Sequence, residues 1–187
     1  MSIIGVQAII RVQAIINAYY HIVTEAAMSQ EYSTLDIAKY VIQYAFDDTE
    51  PVTNLALQKI LYFMQYSSLF LLKEPLNSKI EFEAWKHGPV VREVYSHYRI
   101  NGGCLIMPDA DDSLTEGLYQ EMKTHFHRLN TYISKWLRFN PWKLVDISHE
   151  KGGAWDIAFH KGVNTVITNE MMLSHDLKKQ LGLSDGL

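Results

Sequence analysis

The run "LALQKILYFMQYSSLFLL" (55–72) decides the fold class. Leu57, Ile60, Leu61 and Met64 recur at helical spacing on one stripe, and Phe63, Tyr66 and Phe70 carry the apolar surface around the cylinder. A helix apolar on most sides belongs at the centre of a core, so the rest of the chain should wrap around this one. Thr53 or Asn54 is placed to cap it. Gln58, Tyr62 and Gln65 leave a narrow polar line along it, and polar atoms buried there require partners.

Working outward, "STLDIAKYVIQYAF" (33–46) begins with Ser33 three residues ahead of Asp36, a capping-box-like start, and continues with Ile37, Tyr40, Val41 and Tyr44 on one face. A stripe from Leu114 through Leu118, Met122, Phe126, Leu129, Ile133 and Trp136, opened by Ser113 and Glu116, predicts the longest helix. Asn140-Pro141 predicts a further helix over "PWKLVDISHEK", ended by Gly152-Gly153, and a last helix runs from about Thr168 to Gly182. The period-two segment "KIEFEAW" (79–85) reads as a strand, with "NTVI" (164–167) as its neighbour. Gly88-Pro89 reads as the start of a helix through "VVREVYSHYRI". The expected fold is mainly α: a compact single-domain helical fold of five to eight helices with a short two-stranded β element.

Composition narrows the function classes. A chain of 187 residues, 48% hydrophobic, can bury a sizeable core in one domain. A net charge of -4 and a pI near 6.0 give no electrostatic footprint for a phosphate backbone, so nucleic acid is not an expected partner. Cys104 is the sole cysteine, which excludes an intrachain disulfide and points to a cytoplasmic protein. The opening segment "MSIIGVQAIIRVQAIINAYYHIV" is interrupted by Arg11 and diluted by Gln7, Gln13 and Asn17, which suits neither a signal peptide nor a membrane span. Residues 1–27 are expected to form a helical extension that packs on the domain (28–187) or on a second copy, giving a homodimer.

Candidate chemistry is sparse. "DADDSLTEGLYQ" lacks the glycine and the bidentate glutamate of a calcium loop, and His125 and His127, two apart, diverge on a helix. No metal or cofactor is expected. Two segments concentrate reactive side chains: Glu83, Trp85 and His87 in "FEAWKHGPV", and Asp146, His149, Glu150 and Trp155 in "DISHEKGGAW". A carboxylate beside an imidazole can do acid/base work, so Glu83, His87 and His149 make an enzymatic alternative.

Three ordered motifs, "NLALQKILYFMQ", "EFEAWKHGPVVREVY" and "LVDISHEKGGAW", resemble the SocA-like antitoxin (Panacea domain) family, which includes GepA-like phage-associated proteins. The matching positions are Leu55, Leu57, Gln58, Lys59, Leu61 and Tyr62, then Ala84, Trp85, Gly88, Pro89, Val90, Val94 and Tyr95, then His149, Glu150 and Trp155. Ser148 stands where the family commonly has threonine, and Gly152-Gly153-Ala154 replaces a frequent proline. The resemblance implies a non-enzymatic module that neutralises a cognate protein toxin encoded by an adjacent gene, by direct binding or by delivering it to a Clp-type protease. A DNA-binding autoregulator is a further alternative, without a recognition-helix signature here. The resemblance makes Gln58, Lys59, Tyr62, Gln65, Glu83, Trp85, His87, Gly88, Pro89, Tyr95, His149 and Trp155 the candidate partner-binding residues.

Overall fold

The computed structural model of the chain describes residues 31–183, and the extension expected over 1–27 lies outside them. The fold is mainly α, built around the helix read first. Helix α2 (Asn54–Leu71) is capped by Thr53, whose hydroxyl accepts the Ala56 N–H at 3.2 Å, and every residue from Ala56 to Leu69 is buried. Helix α1 (Thr34–Asp47) starts as expected: Ser33 accepts the Asp36 N–H at 3.0 Å, and its hydroxyl donates back to the Asp36 carboxylate.

Helices α3 (Arg92–Tyr98), α4 (Glu116–His125), α5 (His127–Leu137), α6 (Pro141–Ser148), α7 (Ala154–Lys161), α8 (Asn169–Leu173) and α9 (Lys178–Leu181) complete the helical part. α2 packs against α1, α3, α5, α6 and α8, which is why it is apolar nearly all round. Nine α-helices among the described residues exceed the five to eight expected. Two of the extra boundaries have clear causes. The long stripe 114–136 breaks at Phe126, a fully buried ring packed between Tyr32, Tyr40 and His125; bending there lets both α4 and α5 reach α1 while α5 also lies along α2. The last helix divides because Leu177 turns inward, its N–H bonded to the Tyr66 hydroxyl at 3.0 Å, before α9 ends at left-handed Gly182. α2, not the 114–136 segment, is therefore the longest helix described. Asn140 caps α6 as expected, accepting the Trp142 N–H at 2.9 Å ahead of Pro141.

The β element has three strands, not two. β1 (Phe82–Trp85) pairs antiparallel with β3 (Val166–Ile167), the neighbour expected from "NTVI", and on its other side with β2 (Gly88–Val90). Gly88-Pro89 is thus a strand and not a helix start. Trp85 pairs with Gly88 around the Lys86-His87 turn, Gly88 takes φ 99°, and α3 begins only at Arg92. β2 is an edge strand, where proline's missing N–H leaves no ladder bond unmade. No helix among the described residues is long and apolar enough to cross a membrane.

Trp136 ties the far side of the core together: it is 0% exposed, meets Phe63 edge-on and donates its indole N–H to Leu181 O at 3.2 Å. Trp136→Ala should lower unfolding free energy by roughly 3–5 kcal/mol in urea titration. A loss under about 1 kcal/mol would mean that α5 is not anchored this way.

Candidate functional site

The polar line on α2 faces the hairpin. Asn54, one turn before Gln58, accepts the Gln58 amide at 3.0 Å and donates to Tyr95 O at 3.1 Å. Gln58 in turn accepts the Val91 N–H at 2.9 Å, and the Lys59 amine donates to Pro89 O at 2.9 Å. Gln65 takes the Leu76 N–H at 2.9 Å and reaches Asn169. The partners that burial demands of Gln58 and Gln65 exist, and they are internal. Gln58, Lys59, Tyr62 and Gln65 are each at most 1% exposed, so these four candidates face the protein interior.

The second reactive segment closes on the other end of the hairpin. Trp155 of α7 donates its indole N–H to Trp85 O at 2.9 Å. His149, at the end of α6, stacks flat on Trp155 with ring centroids 3.5 Å apart. The two carbonyls that bracket the turn, Trp85 O and Pro89 O, are therefore each held by a side chain from a different helix. Between them Gly88 has no room for a side chain: a Cβ would sit 2.6 Å from Lys59 Cε and 2.7 Å from Ser148 Oγ.

On the outer face, Arg92 makes a two-point contact with Glu83 at 2.8 and 2.6 Å, and the Trp85 indole donates to the same carboxylate at 2.8 Å. The Arg92 guanidinium also lies over the Trp85 ring at 5.4 Å, and Tyr95 meets that ring edge-on at 4.9 Å. Tyr95 is 39% exposed. His87, at the exposed turn, contacts Trp142 of α6 edge-on at 5.5 Å, and Trp142 is 55% exposed.

Charge states follow from these surroundings. The Arg92 hydrogen bonds, helped by Trp85, hold the Glu83 carboxyl below its ordinary range. Burial pushes the Lys59 amine down to about 7. Burial, and behind it the positive charge of Lys59, push the His149 imidazole down to about 4, and its Nε2 is buried without a hydrogen-bond partner. No hydrogen bond joins any two of Glu83, His87 and His149 among the described residues, and both Glu83 oxygens are occupied. No group of three or more His, Cys, Asp or Glu side chains among the described residues is placed to hold a metal ion.

The structure thus sorts the sequence candidates in two. Gln58, Lys59, Gly88, Pro89 and Trp155 are buried and hold the hairpin, while Glu83, Trp85, His87 and Tyr95 are wholly or partly exposed around it. Tyr62 and Gln65 belong to the core behind, and His149 is half-buried against Trp155. Arg92, Trp142 and Asn54 were not read as site residues. Asn54 had a signal, four residues ahead of Gln58, whereas Arg92 and Trp142 become neighbours of Trp85 and His87 only through the hairpin register and the docking of α6.

A helical body with a small sheet whose hairpin is clamped by buried polar side chains is the class of domain that this geometry defines. Residues 57–156 match the family profile described as antitoxin SocA-like, Panacea domain, and the chain belongs to that family. It is 32% identical over 124 residues to Antitoxin SocA of Caulobacter vibrioides (strain NA1000 / CB15N), an alignment covering 57% of this chain. The chain spans 60% of the length of that relative. No solved structure matches. Every clamp residue except Asn54 falls within the matched region.

Two outcomes test the clamp. Gly88→Ala should lose roughly 1–3 kcal/mol in urea titration from the strained backbone alone, with the Lys59 clash adding to it. His149 is shifted downward in the folded state, so the unfolded chain binds the extra proton between about pH 6.5 and 4. Stability should be full above that window and fall as pH drops through it, by more in the native chain than in His149→Gln. Equal acid sensitivity of the two proteins would remove His149 from the buried clamp.

Proposed function

We propose that the chain is an antitoxin-like interaction protein that neutralises a toxin encoded by an adjacent gene through direct binding. The outer face of the hairpin is the contact surface. The observation that carries this reading is the fixed cluster of Trp85, Arg92, Glu83 and Tyr95 at the surface, within a chain of the SocA-like family. Trp, Tyr and Arg dominate binding energies where they are rigid and partly desolvated before the partner arrives. Here the Arg92 charge is already matched by Glu83, so the aromatic faces can be covered without stranding an ion. His87 and Trp142 extend the surface across the turn to α6. The role needs no catalysis: the Glu83 carboxylate spends its acceptors on Arg92 and Trp85.

The test is co-expression with the product of the adjacent gene, scoring growth rescue and co-purification together. Native chain should restore growth and co-purify with the neighbour. Trp142→Ala, at the more exposed position, should keep stability within about 0.5 kcal/mol, and Tyr95→Ala, which gives up its edge contact with Trp85, within about 1.5 kcal/mol, yet both should lose rescue. A neighbour that is harmless alone, or rescue untouched by both substitutions, would sink the reading. Rescue accompanied by disappearance of the toxin would replace simple neutralisation with delivery for degradation.

A further inference from the structure

We propose that Lys59 is a proton-linked positioning residue: its buried amine, bonded to Pro89 O, holds the β1–β2 hairpin against α2, and taking up a proton there favours release of the hairpin. Lys59 is 0% exposed, and among the described residues the one hydrogen bond of its amine is to Pro89 O at 2.9 Å. An ammonium carries three donors and prefers a counter-charge, yet no carboxylate pairs with Lys59 among the described residues. The Ser148 hydroxyl, across Gly88 from the amine, donates to Val145 O at 2.8 Å and makes no hydrogen bond with Lys59 among the described residues.

The charged neighbours deepen the asymmetry. Across the knot from Lys59 stands His149, itself faced by Asp146 of α6, His87 of the turn and Asp156 of α7. Asp146 and Asp156 favour a charged His149, while Lys59 and His87 oppose it, so a proton on Lys59 also repels any on His149. A cation at Lys59 is therefore shut off from bulk solvent and has no counter-charge among the described residues, and burial lowers the amine's pKa to about 7.

The cheapest escape is through the hairpin. β2 is an edge strand, held among the described residues by β1 and by the helices beneath it, whereas β1 lies between two strands and is also fixed from behind by Trp155. Lifting β2 off α2 hydrates Lys59 and returns it toward its ordinary value of 10.5. Opening thus takes up a proton between about pH 7 and 10. The closed state gains as pH rises through that window, about tenfold per pH unit at most, and the dependence flattens below it. Resting on the interaction reading above, one consequence is that a partner docking on the closed hairpin draws in the open, protonated fraction, whose Lys59 gives up its proton on closing.

The experiment is amide hydrogen exchange on the free chain, corrected for intrinsic rates, for residues 82–91 between about pH 7 and 9. Hairpin protection in the native chain should rise up to about tenfold per pH unit, and Lys59→Met, which keeps the length and removes the proton site, should be flat. A flat native profile, or an equal slope in Lys59→Met, overturns the proposal. Should Lys59→Met fail to fold, carbon-13 labelling of the lysine Cε positions in the native chain decides. One lysine must titrate near 7, and all of them titrating above about 10 overturns the proposal. Because no toxin is present, failure here leaves the interaction reading standing, and failure of growth rescue leaves this one standing.

Discussion

The amine of Lys59 reaches Pro89 O through a gap that only glycine leaves open, and much of the domain follows from that one bond. It requires α2 to be central, because a lysine stem buried to the amine needs apolar walls on every side. Gly88 has to remain without a side chain, and β2 has to be an edge strand, because proline occupies its middle position. It also requires α6 to end where it does, since Ser148 closes the same gap from the far side. Burying an amine is costly, and a hydrophobic replacement could pack as well or better. What an apolar side chain could not do is choose one carbonyl. Lys59 and Gln58, on adjacent positions of one helix, take Pro89 O and Val91 N–H and so fix the register of the hairpin against α2.

That dependence explains what the sequence disclosed. The centrality of α2, the caps at Ser33 and Asn140 and the pairing of 164–167 with 82–85 are local or periodic features, and each was legible. The Gly88-Pro89 step was misread because glycine followed by proline is as good a local signal for a helix start as for a tight hairpin. The decision between them is made by Lys59 and Gln58, some thirty residues earlier. The break at Phe126 is similar: its stripe has perfect helical spacing, and only the aromatic pocket of Tyr32, Tyr40 and His125 turns the chain there.

The sequence offered the candidate residues without their arrangement. A polar line on an apolar helix can face water, a partner or another part of the same chain, and periodicity is identical in all three cases. Read as contact residues, Gln58, Lys59 and Gln65 proved to be supports with interior partners. Glu83 and Trp85 were correctly placed on one face by alternation, and the structure adds Arg92 as the group that neutralises the one and covers the other.

The separation of supporting from presenting residues has a physical consequence for specificity. Gln58, Lys59 and Trp155 bond backbone atoms, and Gly88 leaves the room that the Lys59 stem fills, so the hairpin path they impose is indifferent to which side chains the outer face carries. Arg92 and Tyr95 contact Glu83 and Trp85 on the outer face, and His87 and Trp142 contact each other, so exchanging these four would alter the surface while leaving the buried bonds intact. In the proposed role, a preformed clamp beneath a replaceable face would lower the entropy cost of recognition without dictating its chemistry. The same backbone could then be refitted to a different partner by changing a few exposed side chains, whereas a change at Gly88 would disturb the clamp and the surface together.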